Sequence, residues 1–180
     1  MIASLLSVFL LGAQAASPVR FLTFSHNGQL MASASGSSVR VWAVSNGVVQ
    51  ALLNAHDGPV SAVEFSLDDS MIATVSSSTV HVWNVATSEQ TIWLQGQSSH
   101  ASSISFSPDG KTLASANYST VHVWDLATGH SVAELKGDSG TVFSVAYSPD
   151  GRYLAAGIGA ASVQIWDVAG QRLLATLNPH

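Results

Sequence analysis

A tryptophan recurs along this chain at a nearly constant interval, and each copy lies in the same kind of segment. The spacing is 41, 41 and 42 residues, between Trp42, Trp83, Trp124 and Trp166. In the segment Val121-His122-Val123-Trp124, apolar and polar residues alternate and β-branched residues dominate. This alternation predicts a β-strand. A chain that repeats one such segment at a fixed spacing is predicted to be an array of one supersecondary unit.

The remainder of each unit contains three further strand patterns. In the third unit the first strand is expected at residues 101–107, and the turn Pro108-Asp109-Gly110 separates it from a second strand at residues 113–116. Pro presets one backbone dihedral of such a turn, and Gly permits positive φ. The Trp strand comes third, and residues 131–135 form a fourth strand. The chain is therefore predicted to be all-β over residues 17–180, with units at about 19–59, 60–100, 101–141 and 142–180.

The composition agrees with a folded chain and excludes several classes of function. Of the 180 residues, 47% are hydrophobic and 9% are charged, which is far from a disordered composition. The net charge of -5 and the absence of a basic run argue against nucleic acid and anionic membrane as partners. Without cysteine the chain has neither disulfides nor thiolate metal sites. No apolar run reaches the roughly 20 residues of a membrane span.

The N-terminal residues 1–16 allow two interpretations. An apolar run at residues 5–11, followed by the small-x-small form of Ala13-Gln14-Ala15, is typical of a secretory signal. The basic flank of such a signal is missing, and a shift by one period aligns residues 7–11 with residues 48–52. That alignment predicts the last strand of a preceding unit. The missing flank favours the strand and with it a cytoplasmic location, whereas the protein is secreted if the segment is a cleaved signal.

Four antiparallel strands in about 41 residues, with a Pro-Asp-Gly turn after the first and Trp-Asp at the end of the third, resemble the WD-repeat family of β-propellers. The resemblance covers residues 19–177 and is most specific from Phe106 to Leu135, in FSPDGKTLASA and TVHVWDLATGHSVAEL. It implies a β-propeller of WD-repeat type with four four-stranded blades, as a partial or open propeller or as half of a larger ring. It also implies that six residues are structural, namely Trp42, Trp83, Trp124, Asp125, Trp166 and Asp167.

The chain departs from the family pattern at polar positions. In the first two units, Ala43 and Asn84 replace the Asp of the Trp-Asp dipeptide. The Gly-His dipeptide that precedes a first strand survives as Ala55-His56. The turn Asp that precedes the Trp strand in the family is absent from all four units. In the family these groups form a buried hydrogen-bond network with a strand Ser or Thr, so we expect that network to be partial in this chain.

The motifs give little support to a metal-binding or catalytic function. His81 and His122 occupy the same position in consecutive units, but adjacent sheets pack about 10 Å apart, whereas imidazoles that share a zinc lie roughly 4 Å apart. No Gly-x-Ser-x-Gly elbow and no His-Glu-x-x-His helix occurs, so a hydrolytic site has no motif. Asp68-Asp69 lies in a turn, and the glycines fall in turns instead of cradling phosphate. We therefore expect that the chain is not an enzyme, that it uses no cofactor, and that it has neither catalytic nor metal-binding residues.

The resemblance places partner binding on the top face of the propeller. This face consists of the turns between second and third strands and of the connections from a fourth strand to the next first strand. The candidate residues there are His56, Asp57, Ser98, Ser99, His100, Tyr118, Asp138 and Ser139. The turns also contribute Ser37, Ser78 and Ala160. Tyr118 is the only aromatic residue in the set, and a large amphipathic side chain at a rim suits the anchoring of a partner.

These expectations lead to a non-enzymatic scaffold that binds protein or peptide. The alternative is a secreted propeller that binds a small molecule or glycan, and cleavage of residues 1–15 would favour it. Each blade of an array buries one face against each neighbour, and neither terminal unit is polar enough to act as a cap. We therefore expect the chain to be open, to associate with itself through its open blade edges, or to form part of a larger propeller. A strand at residues 4–11, if retained, is expected to pair at a seam.

Overall fold

The computed structural model describes residues 17–54, 56–94, 101–137, 140–159 and 161–178, which form sixteen strands and no helix. The first sheet consists of β1 (Val19–Phe24), β2 (Leu30–Ser35), β3 (Ser38–Ala43) and β4 (Val49–Leu53). The second consists of β5 (Val60–Phe65), β6 (Met71–Ser76), β7 (Thr79–Asn84) and β8 (Gln90–Leu94). The third consists of β9 (Ala101–Phe106), β10 (Thr112–Asn117), β11 (Thr120–Asp125) and β12 (Ser131–Lys136). The fourth consists of β13 (Val142–Tyr147), β14 (Tyr153–Ile158), β15 (Ser162–Asp167) and β16 (Arg172–Leu177).

Each sheet is an antiparallel meander whose strands stand in chain order. The predictions of an all-β chain and of four four-stranded units are confirmed, with strand bounds close to those expected. The predicted strand or signal within residues 1–16 lies outside the described residues. The described residues contain no helix that is long and apolar enough to cross a membrane.

A serine closes the turn between the first two strands of each sheet. In the third sheet, Ser107 Oγ donates to Asp109 Oδ1 at 2.7 Å and accepts from the backbone N–H of Thr112 at 2.9 Å. In the second sheet, Ser66 Oγ donates to Asp68 Oδ1 at 2.6 Å. Asp68 is therefore a turn residue, as the sequence predicted. These side-chain hydrogen bonds satisfy backbone groups of the turn that would otherwise be bonded in a longer pair of strands.

In the first three sheets the indole of the Trp strand has a hydrogen-bond acceptor within its own sheet. Trp124 Nε1 donates to Ser115 Oγ at 2.9 Å, and Trp83 Nε1 donates to Thr74 Oγ1 at 2.9 Å. Trp42 makes the equivalent bond in the first sheet. A buried indole N–H without an acceptor would cost free energy, so a hydroxyl on the neighbouring second strand allows the Trp to be buried.

The sheets pack face to face in chain order, with one buried Trp at each interface. Trp83 lies between the first and second sheets, Trp124 between the second and third, and Trp166 between the third and fourth. Valines and alanines of the preceding sheet form the opposite side of each interface, such as Val80 and Val82 in the cluster that contains Trp124. Small and β-branched side chains on that side allow the sheets to approach closely. All three of these Trp side chains are buried, and their structural role stays a prediction.

The array of sheets does not close on itself, so the first and fourth sheets each have one face that no other described sheet covers, which we call their free faces. Trp42 is only half-buried, because it lies on the side of the first sheet that no described residue of a preceding sheet covers. Val163 and Ile165 of the fourth sheet are half-buried on the opposite side of the array. The four blades therefore form an open propeller.

Asp69 joins the turn of the second sheet to the turn of the first. Its carboxylate accepts the backbone N–H of His26 at 2.6 Å and that of Asn27 at 2.9 Å. Asp69 has a φ of 60°, at a turn position where the other three sheets have glycine. Aspartate tolerates this left-handed conformation better than most residues. The contact between sheets explains why the second turn has a carboxylate there instead of glycine.

Replacing Trp124 by alanine should destabilise the protein by roughly 3–5 kcal/mol, because it empties a large buried site between the second and third sheets. Urea unfolding followed by tryptophan fluorescence and circular dichroism measures the change. Trp93→Ala is the control, since Trp93 is exposed on β8. A loss below about 1 kcal/mol for Trp124→Ala would show that the Trp strands are not core elements.

Candidate partner-binding site

The top face of the array contains the predicted partner-binding residues that the structure describes. His56 and Asp57 lie in the connection between β4 and β5, and Tyr118 lies in the turn between β10 and β11. Ser37 and Ser78 occupy the corresponding turns of the first two sheets. The remaining candidates lie outside the described residues, namely Ser98, Ser99, His100, Asp138, Ser139 and Ala160.

His56 connects the top face to the buried Trp of the second sheet. The backbone carbonyl of Ser37 accepts from His56 Nδ1 at 2.9 Å, so Nε2 is left as an acceptor for Thr74 Oγ1 at 2.8 Å. Thr74 Oγ1 in turn accepts from Trp83 Nε1. In the neutral imidazole this relay places the hydrogen on Nδ1 and fixes one tautomer.

Burial and the neighbouring His81 imidazole together lower the pKa of His56 to about 4, although the hydrogen bond to Ser37 and the charge of Asp57 partly oppose them. The two imidazole centroids are 5.1 Å apart. Two protonated histidines at this separation would repel each other in a partly dry site. The geometry and the lowered pKa thus agree that His56 is neutral in the folded chain.

Asp57, Ser76 and His81 form a second polar group beneath the same connection. Ser76 Oγ donates to Asp57 Oδ1 at 2.8 Å and lies 3.4 Å from His81 Nε2. His81 Nδ1 lies 3.3 Å from Gln90 Oε1. In a hydrolytic triad the histidine separates serine from aspartate and takes the serine proton. In this group Ser76 lies between the other two, donates its hydrogen bond to Asp57, and is fully buried.

Tyr118 is the most exposed large side chain of the described top face, at 67%. Its backbone is held in place, because its carbonyl accepts the backbone N–H of Val142 at 2.6 Å. Its φ of 25° lies outside the usual regions for a non-glycine residue. The turn therefore presents an amphipathic ring to solvent from a fixed position between the third and fourth sheets.

Sequence reasoning missed Phe143, a second exposed aromatic residue at the top of the fourth sheet. It follows Val142 in β13, and the equivalent residues Ser61 and Ser102 donate to backbone carbonyls of the next sheet. A Cβ on Gly159 would lie 3.0 Å from the Phe143 ring, so the ring rests over that glycine. Aligning the four units would have revealed the aromatic residue in a serine position.

Glu64 was also missed, and it is the most perturbed carboxyl group of the described residues. Burial raises its pKa to about 7, and a hydrogen bond with the backbone of Phe106 partly opposes the shift. Ser105, the equivalent residue in the third sheet, makes a similar contact with the fourth sheet. Its Oγ accepts the backbone N–H of Tyr147 at 3.3 Å. Glu64 therefore bridges two first strands. Among the residues that the structure describes, no three His, Asp or Glu side chains are grouped so as to hold a metal ion.

Acid should destabilise the fold through His56. Its folded pKa of about 4 lies below the ordinary value of 6.5, so the unfolded chain takes up the proton first. Its stabilising contribution is complete above the ordinary pKa and is lost as the pH falls from 6.5 towards 4. The difference in unfolding free energy between the parent and His56→Asn should therefore be largest at neutral pH and shrink in acid, as urea titrations at several pH values would measure.

The comparison isolates His56, because His81 and Glu64 titrate in both proteins. His130→Asn, at an exposed histidine, is the matched control. If the difference for His56→Asn were the same at neutral pH as in acid, the neutral relay would be wrong.

The four repeats match the sequence model of the family described as WD domain, G-beta repeat, over residues 6–43, 47–84, 88–125 and 129–167. Each matched segment ends at the last residue of a Trp strand. No curated protein matches the chain.

Proposed function

Because the chain belongs to the WD-repeat family, whose repeats generally serve as scaffolds for protein interaction, we propose that it binds a protein or peptide through its top face. Propellers of this family are generally non-enzymatic. The net charge of -5 favours such partners over nucleic acid. Tyr118 is the proposed anchor, and His56 and Asp57 lie on the same face in the connection between the first and second sheets.

The observation that carries the proposal is the exposure of Tyr118 from a fixed backbone. An aromatic side chain with few rotatable bonds loses little entropy when a partner covers it, and it offers both an apolar ring and a hydroxyl. The hydrogen bond to Val142 fixes the turn before any partner arrives. A preformed anchor of this kind lowers the cost of association.

A non-enzymatic role is supported by the geometry of the polar groups beneath the top face. Ser76 is buried and donates to Asp57, so it is neither accessible nor activated as a nucleophile. His56 is engaged at both ring nitrogens. We propose that these groups hold the connection between β4 and β5 in shape for a partner.

Selection from a display library of random linear peptides on the immobilised chain tests this function. Enriched peptides should bind the parent protein and lose roughly thirty-fold in affinity with Tyr118→Ser, as expected for a hot-spot aromatic residue worth about 2 kcal/mol. Leu67→Ser is the control, because Leu67 is exposed in the turn after β5, at the opposite end of the sheets.

Fluorescence anisotropy with the labelled peptides gives the affinities. Equal binding to the parent and to Tyr118→Ser would place the site elsewhere. A selection that enriches no peptide would contradict peptide recognition altogether.

A further inference from the structure

The free face of the first sheet contains exposed residues whose equivalents in the later sheets are buried or half-buried. Leu22 is 62% exposed, whereas its equivalents Ile104 and Val145 are 6% and 5% exposed. Phe24 is exposed, whereas its equivalent Phe65 is buried. In the later sheets these positions pack against the sheet that precedes them. The first sheet thus presents one half of an interface that the chain forms three times internally.

The free face of the fourth sheet presents the other half. Leu177 is 47% exposed, whereas its equivalents Leu53, Leu94 and Leu135 are 1%, 0% and 2% exposed beneath the sheet that follows them. Val163, which pairs with Leu177, is half-buried, while the corresponding valines of the inner sheets are fully buried. The two free faces are therefore complementary to each other.

We propose that a second copy of this chain covers both faces. The fourth sheet of each copy packs on the first sheet of the other, so that two equivalent seams close a ring of eight blades with two-fold symmetry. The internal interfaces are the evidence, because each joins the same two kinds of face in the same order. The aromatic and leucine side chains of the first sheet would then lie against the Val163 and Leu177 face.

Contacts within the chain predict the details of the seam. A Cβ on Gly151 would lie 3.5 Å from Pro108 of the preceding sheet, whereas a Cβ on Gly28 would meet no atom within 4 Å. In the ring, Pro149 of one copy takes the place of Pro108 against Gly28 of the other. Similarly, Ser103 Oγ accepts the backbone N–H of Val145 at 3.3 Å, and the equivalent acceptor for Leu22 is the exposed Ser144 of the other copy.

The number of copies follows from the size of propellers. Rings contain about four to eight blades, so two copies of a four-blade chain reach the upper end of the range and three copies exceed it. A contact between unlike faces closes only if the rotation per blade suits the ring, and otherwise it continues into a filament. Closure by two copies leaves no apolar face free, which meets the need for capping that the repeat array creates.

Sedimentation velocity of the 180-residue chain and three leucine variants tests the ring. The parent should sediment at twice the 18.7 kDa chain mass. Leu22→Asp blocks the first-sheet face, Leu177→Asp blocks the fourth-sheet face, and each should be monomeric alone. Leu67→Asp changes a leucine of similar exposure away from both faces and should leave the dimer intact.

Mixing the two blocked variants tests whether each seam joins a first-sheet face to a fourth-sheet face. Leu22→Asp retains an intact fourth sheet and Leu177→Asp retains an intact first sheet, so one seam can form only between the two different variants. The mixture should therefore contain dimers that neither variant forms alone, while circular dichroism confirms that both are folded.

Several results would overturn the ring. A compact parent monomer that binds no apolar dye would mean that residues 1–16 or a closed four-blade ring cover the faces. A ladder of species larger than a dimer would mean an open filament. If either blocked variant remained dimeric, or if their mixture stayed monomeric, the seam would not join the two free faces.

Discussion

The packing of a tryptophan-bearing face against a valine-bearing face holds each sheet to its neighbour. Trp124 lies in one cluster with Val80 and Val82, and the same arrangement recurs on either side. The ion pairs contribute little by comparison. Lys111 to Asp109 and Lys136 to Glu134 are exposed pairs, and exposed pairs are worth about 0–1 kcal/mol. With 9% charged residues, the stability of this chain depends on apolar burial between the sheets.

The periodicity of the sequence was sufficient to predict the strands, their order and the buried Trp positions. Alternation within a strand decides which side chains share a face, and a slip by one residue would expose the whole apolar set. Periodicity and alternation did not predict the contacts between sheets. Asp69 bonds to the turn of the preceding sheet and Phe143 replaces a serine that reaches the following one. Such contacts depend on how two separately repeated units are placed in space, which no pattern within one unit contains.

The polar network was expected to be partial, and the structure shows how unevenly it is distributed. In the second sheet, His56 and Thr74 complete a relay to the indole, while Asp57 reaches Ser76 from the connection instead of from the turn that the family uses. In the fourth sheet, Ala156 stands where Thr74 stands in the second and has no hydroxyl to offer. Sequence alone identified His56 but could not show that Asp57 would support the neighbouring strand. The partner-binding assignment of both residues remains a prediction.

The position of Tyr118 links the top face to the packing of the sheets. Its carbonyl bonds to Val142, and Val142 belongs to the apolar cluster between the third and fourth sheets. The turn conformation therefore depends on how firmly the fourth sheet is held, yet that sheet is packed on one side only among the described residues. A neighbour on its free face would restrict its motion and with it the turn. Because binding energies are linked through shared conformations, a partner that requires this turn should favour the closed ring, and ring closure should favour the partner by the same factor.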